Sequence, residues 1–137
     1  MRREKELKVL DTDVLSAIVK PNPPRRLQWE ISQLSEVHTT AVTLGEILYG
    51  LEKFGSVRLR RLYEQKVFPF LIVLPFDEEA AHHYGELRAV LEERGEPLSE
   101  ADLMIASIVL SRGGVLVTGN VSHFSRVPGM RVENWLE

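Results

Sequence analysis

Cysteine is absent from the 137-residue sequence, which excludes disulfide frameworks, thiolate metal sites and cysteine nucleophiles. A reduced, cytoplasmic setting is the expectation. No apolar run approaches the roughly 18 residues of a membrane span, so no membrane association is expected. The charged start Met1-Arg2-Arg3-Glu4-Lys5-Glu6 is followed by too short an apolar stretch for a signal peptide. Low-complexity tracts and internal repeats are missing, as are a nucleophile elbow, a Walker loop and a dinucleotide fingerprint. The four histidines, His38, His82, His83 and His123, include no pair at the i, i+4 spacing of a helical zinc site. Basic excess is lacking too: 17 Lys and Arg against 20 Asp and Glu give −3, which excludes a generally basic nucleic-acid coat but permits a local basic patch beside an acidic pocket.

What is present suits one globular domain spanning residues 1–137, with residues 1–6 as a charged extension. Hydrophobic residues make up 44% and charged residues 27%, enough for a proper core and too ordinary for disorder. A chain of this length buries roughly 68% of its unfolded surface.

Apolar periodicity and breakers divide the chain into elements. Leu7 to Leu10 reads as a flush apolar strand, central in its sheet. Val14 to Val19 is a helix ended by Pro21-Asn22-Pro23-Pro24, and Arg25 to Leu34 is a second. Glu36 to Thr39 is a strand. Thr43 to Phe54 carries Leu44, Ile47, Leu48 and Leu51 as one stripe, with Gly55 as C-cap. Val57 to Lys66 is a basic helix, Phe70 to Leu74 a buried strand, and Asp77 to Arg94 a long amphipathic helix. Ala101 to Leu110 is an apolar helix capped by Ser99. Val115 to Val117 and Met130 to Glu133 are the last strands. This alternation implies an α/β fold of three αβα layers, with a central, mainly parallel sheet of four to five strands.

Chemistry concentrates where apolar segments stop at polar ones. Leu10-Asp11-Thr12-Asp13 puts two carboxylates at the carboxyl end of the first strand, where open α/β sheets bind ligands. Thr43-Leu44-Gly45-Glu46, Ser99-Glu100-Ala101-Asp102 and Thr118-Gly119-Asn120 offer further oxygen donors at element boundaries. Local readings exist for each: Asp13 fits a helix cap, and Thr43-x-x-Glu46 and Ser99-x-x-Asp102 fit capping boxes. Yet only four of the 20 acidic residues are aspartate, and three of those are Asp11, Asp13 and Asp102. Short carboxylates gathered at one sheet edge suit a hard divalent cation. His123 could touch a phosphate or leaving group, with surface packing as the competing reading.

Five segments in series, Leu10-Asp11-Thr12-Asp13-Val14-Leu15-Ser16, Thr43-Leu44-Gly45-Glu46-Ile47-Leu48-Tyr49-Gly50-Leu51, Asp102-Leu103-Met104-Ile105-Ala106, Thr118-Gly119-Asn120-Val121-Ser122-His123-Phe124 and Val127-Pro128-Gly129-Met130 before Trp135, resemble the PIN-domain family, specifically the VapC-type toxins of toxin–antitoxin pairs. The resemblance implies a cytoplasmic, Mg2+- or Mn2+-dependent endoribonuclease, usually a homodimer, neutralised by a small antitoxin. It implies Asp11, Glu46 and Asp102 as the family acids and metal ligands, with Asn120 at a fourth position where many members carry Asp. Thr12, Asp13, Ser16 and Thr118 are the candidates for holding those carboxylates in place. Arg58, Arg60, Arg61 and Arg126 are the candidate RNA contacts.

Two other classes compete. Asp11-Thr12-Asp13 also mimics the nucleophile and acid/base pair of haloacid-dehalogenase-like phosphotransferases, but those need a late positive residue, usually lysine, and no lysine follows Lys66. The asparagine at position 120 would suit a degenerate, non-catalytic PIN domain kept for binding a partner.

Overall fold

The computed structural model describes residues 6–137, so the charged leader read from the sequence lies, apart from Glu6, outside the described residues. Five strands form the sheet: β1 (Lys8–Leu10), β2 (Val37–Thr40), β3 (Leu71–Leu74), β4 (Val115–Val117) and β5 (Arg131–Glu133). Their order is β3-β2-β1-β4-β5 and every pairing is parallel. The chain moves outward from β1 through β2 to β3, then returns to place β4 on the other side of β1. That reversal makes a crevice beyond the carboxyl ends of β1 and β4, the usual ligand position in such sheets.

Helices α1 (Thr12–Ile18), α2 (Arg25–Ser32), α3 (Ala41–Phe54), α4 (Val57–Lys66), α5 (Glu78–Glu93), α6 (Glu100–Ser111) and the single turn α7 (Val121–Phe124) complete the fold. Strand alternation divides the core in two. Leu10 and Val117 pack with Val14, Leu15, Leu27, Ile47, Tyr63 and Trp135 on one face. Val9 and Leu116 pack with Ala80, Ile105, Ile108, Val109 and Phe124 on the other. The result is the expected three-layer αβα arrangement, with all five strands parallel.

Several local expectations are corrected. Leu71–Leu74 is an edge strand rather than a buried one, with Ile72 and Val73 38% and 39% exposed. A short apolar run carries no mark of whether both its edges are paired. Helix α1 starts two residues before Val14 because Asp11, not Asp13, is its N-cap, accepting from the Thr12 N–H at 2.8 Å. Helix α3 starts two residues before Thr43, since Thr40 at the end of β2 caps it through the Thr43 N–H at 3.0 Å. The Thr43–Glu46 capping box therefore does not form, and Glu46 is left to face solvent. Gly55 closes α3 as expected, left-handed at φ 62° with its N–H on the Leu51 carbonyl. The turn α7 has no counterpart in the sequence reading.

Candidate functional site

Asp11 follows β1 directly and is anchored at three points. Its backbone N–H donates to the Val117 carbonyl of β4 at 2.9 Å. Its Oδ1 accepts from Thr12 N, and its Oδ2 accepts from the Thr118 hydroxyl at 2.9 Å. Burial pushes the Asp11 carboxyl up to about 6; the Thr12 and Thr118 hydrogen bonds oppose this, and the charges of Asp13 and Asp102 add to it.

The loop after β4 serves each of its neighbours in turn. The Thr118 hydroxyl also accepts from Asn120 N at 3.1 Å, and Gly119 N donates to Asp13 Oδ2 at 2.8 Å. A Cβ on Gly119 would lie 2.7 Å from that same oxygen, so a larger residue here would force the Asp13 carboxylate to shift. The other Asp13 oxygen, Oδ1, is buried without a hydrogen-bond partner. Asp13 is thereby tied to the loop rather than to the helix N-terminus, and Ser16 donates to the Asp13 carbonyl rather than to a carboxylate.

Glu46 reaches the site from α3, accepting from the Thr12 hydroxyl at 3.0 Å through Oε1. Thr12 thus links Asp11 and Glu46. Asp102 enters from the first turn of α6, where Ser99 caps its N–H at 3.2 Å. Its carboxylate does not close a capping box: Oδ2 instead lies 2.9 Å from Nε2 of His123. Sequence reading favoured a surface role for His123 and gave Asn120 the fourth position, whereas Asn120 is exposed and its side chain makes no hydrogen bond among the described residues. The unread turn α7 is what carries His123 back to Asp102.

No lysine or arginine pairs with Asp11, Asp13, Glu46 or Asp102 among the described residues, whereas Glu6 pairs with Lys8 and Arg131, and Glu133 with Lys8 and Arg26. Clustered hard oxygen donors with uncompensated charge fit a divalent cation. Among the described residues, no three acidic or histidine side chains converge closely enough to encircle an ion unaided. Of the candidate RNA contacts, Arg58 and Arg61 are exposed on α4, and Arg60 pairs with Glu52 at 3.1 Å. Arg126 is committed to His123 through two nitrogens.

The model of the PIN domain matches residues 8–130. The chain belongs to the PIN-domain family. Among its relatives are proteins named tRNA(fMet)-specific endonuclease VapC from Salmonella typhimurium, 35% identical over 93% of this chain and 96% of that one, and from Shigella flexneri, 34% identical with the same coverage. Ribonuclease VapC2 of Haemophilus influenzae is 28% identical over 93% of this chain and 97% of its own. Solved structures of DNA-bound VapBC from Salmonella typhimurium (34% identity, TM-score 0.83, 96% of this chain and 99% of that one) and of VapBC2 from Rickettsia felis bound to a promoter DNA fragment (26%, 0.83, 94% and 98%) share this PIN fold. The phosphotransferase alternative falls with this membership. Among the described residues of this PIN-domain protein, no helix is long and apolar enough to cross a membrane.

Proposed function

We propose that this PIN-domain chain is the RNA-cleaving toxin of a VapC-type toxin–antitoxin pair, cutting phosphodiester bonds with Mg2+ or Mn2+ in the cytoplasm. The observation that carries this reading is the unpaired carboxylate group at the switch point between β1 and β4, built on Asp11. Asp11, Asp102 and Glu46 are the residues that would hold the cation.

When bound, the cation polarises a phosphate oxygen and makes a nearby water more acidic. Asp11 cannot swing, because Thr12 and Thr118 hold both its oxygens. Glu46 is exposed and has Oε2 free of hydrogen bonds among the described residues, so it orients the attacking water and accepts its proton. Arg58 and Arg61 supply positive charge for the RNA backbone. The exposed Tyr49, Phe54 and Val57 on α3 and α4 give apolar surface for an antitoxin or a second copy in a homodimer.

Cleavage-site mapping on total RNA decides the matter, with tRNA(fMet) the first substrate to examine. Cuts leaving 5′-phosphate and 3′-hydroxyl ends are expected with Mg2+ or Mn2+ and should vanish with chelator. Undiminished cleavage in chelator would overturn the cation-dependent mechanism, and no cleavage in either condition would favour a binding-only protein.

A further inference from the structure

The residue that meets Asp102 is itself held in one state. Arg126 grips His123 with two nitrogens: Nε donates to the His123 backbone carbonyl at 3.1 Å, and Nη2 lies 3.0 Å from ring Nδ1. A guanidinium has only donors and does not deprotonate in proteins, so Nδ1 must be the acceptor of that contact. The ring proton then sits on Nε2, which donates to Asp102 Oδ2 at 2.9 Å. The ring plane is set as well, because His123 lies edge-on against Phe124, with centroids 5.2 Å apart at 83°, and Phe124 is buried in the core.

We infer that His123, fixed as its Nε2–H tautomer by Arg126, is a positioning residue that aims the Asp102 carboxylate, leaving Oδ1 free for a divalent cation. This rests on the cation-dependent reading above. The chemistry explains why an imidazole stands here. A lysine or arginine touching Asp102 would cancel the charge that a cation needs, whereas a neutral N–H donor orients the carboxylate and leaves its charge intact. Asp102 is then held at both ends, its backbone by Ser99 and its Oδ2 by His123. Arg126 keeps its charge one residue removed, acting through the ring rather than on RNA.

Long-range 1H–15N correlation of the cation-free protein reads the His123 tautomer directly, and calorimetric titration with Mn2+ reads the consequence. Expected are an Nε2–H ring in the native chain, an affinity for Mn2+ about tenfold lower in His123→Ala, and recovery of most of it in His123→Gln, whose amide can donate to Asp102. Arg126→Met should mix the two tautomers and weaken Mn2+ binding by less than His123→Ala does. A ring protonated at Nδ1, or a His123→Ala protein that binds Mn2+ like the native chain, overturns the inference and leaves the nuclease reading standing. A native chain that takes up no Mn2+ overturns both.

Discussion

Glu133 on the outer strand β5 sits 2.5 Å from the Lys8 ammonium and 4.0 Å from Arg26, while Asp11 at the end of the central strand has no cationic partner among the described residues. Their carboxyls move in opposite directions. Partial burial acts on Glu133 too, but Lys8, the Trp135 N–H and Arg26 outweigh it and hold that carboxyl below its ordinary range; burial wins at Asp11 and raises it to about 6. Glu6, hydrogen-bonded to Arg131, follows Glu133. Glu133 thus supports the native state, and the ionised Asp11 is tolerated at its expense. Strained charge of that kind, at the crevice beyond β1 and β4, makes Asp11 a candidate for function.

Asp11→Asn would break this contrast most sharply. Removing the buried charge should lower cleavage by about a thousandfold, as expected for losing several kcal/mol of cation assistance. The same variant without cation should melt no lower than the native chain; a collapse in melting temperature would show that Asp11 is structural after all.

Gly119→Ala comes next. The added methyl would press on Asp13 Oδ2 at 2.7 Å and on Leu136 Cδ1 at 2.9 Å, costing about 1–3 kcal/mol in urea unfolding. An unchanged midpoint would mean the loop yields freely and does not fix Asp13.

Acidity separates Asp11 from Glu133 by sign. A carboxyl raised in the folded state adds stability fully below its ordinary value of 3.8 and loses it as pH rises through about 6. For Glu133 the order is reversed: its contribution is present above its ordinary value of 4.5 and disappears as pH falls through the lowered one. Between about pH 7 and 5, the cation-free native chain should therefore gain stability relative to Asp11→Asn. Equal pH profiles for the two proteins in thermal melts would refute the burial cause. Glu133→Gln should have the smallest effect, about 0.2–1 kcal/mol by denaturant titration, because Lys8–Glu133 is a partly exposed pair.

Much of this was legible in the primary structure. Val115–Val117 coincides with its expected bounds, and Gly55 ends α3 where its position said it should. Asp11 was placed correctly because an apolar strand that halts at an acid puts it at a sheet edge. The errors share one origin. The Thr40 cap is invisible while Thr43 offers an equally good local pattern, and Leu71–Leu74 reads as buried because pairing on one side leaves no trace in its residues. His123 had no periodic signal at all, since α7 is a single turn.

Composition, breakers and the strand-to-acid junctions by themselves determined the α/β class, the order of the elements apart from α7, and the place of Asp11 and Asp13 at the end of the first strand, because each depends on neighbours within a few residues. Only the tertiary structure decided which groups touch: Thr118 with Asp11 across 107 positions, and His123 with Asp102 across 21. Those contacts depend on how β1, β4, α6 and α7 pack. A shift of one ångström in that packing would unmake the hydrogen bonds while leaving every local pattern in the sequence unchanged.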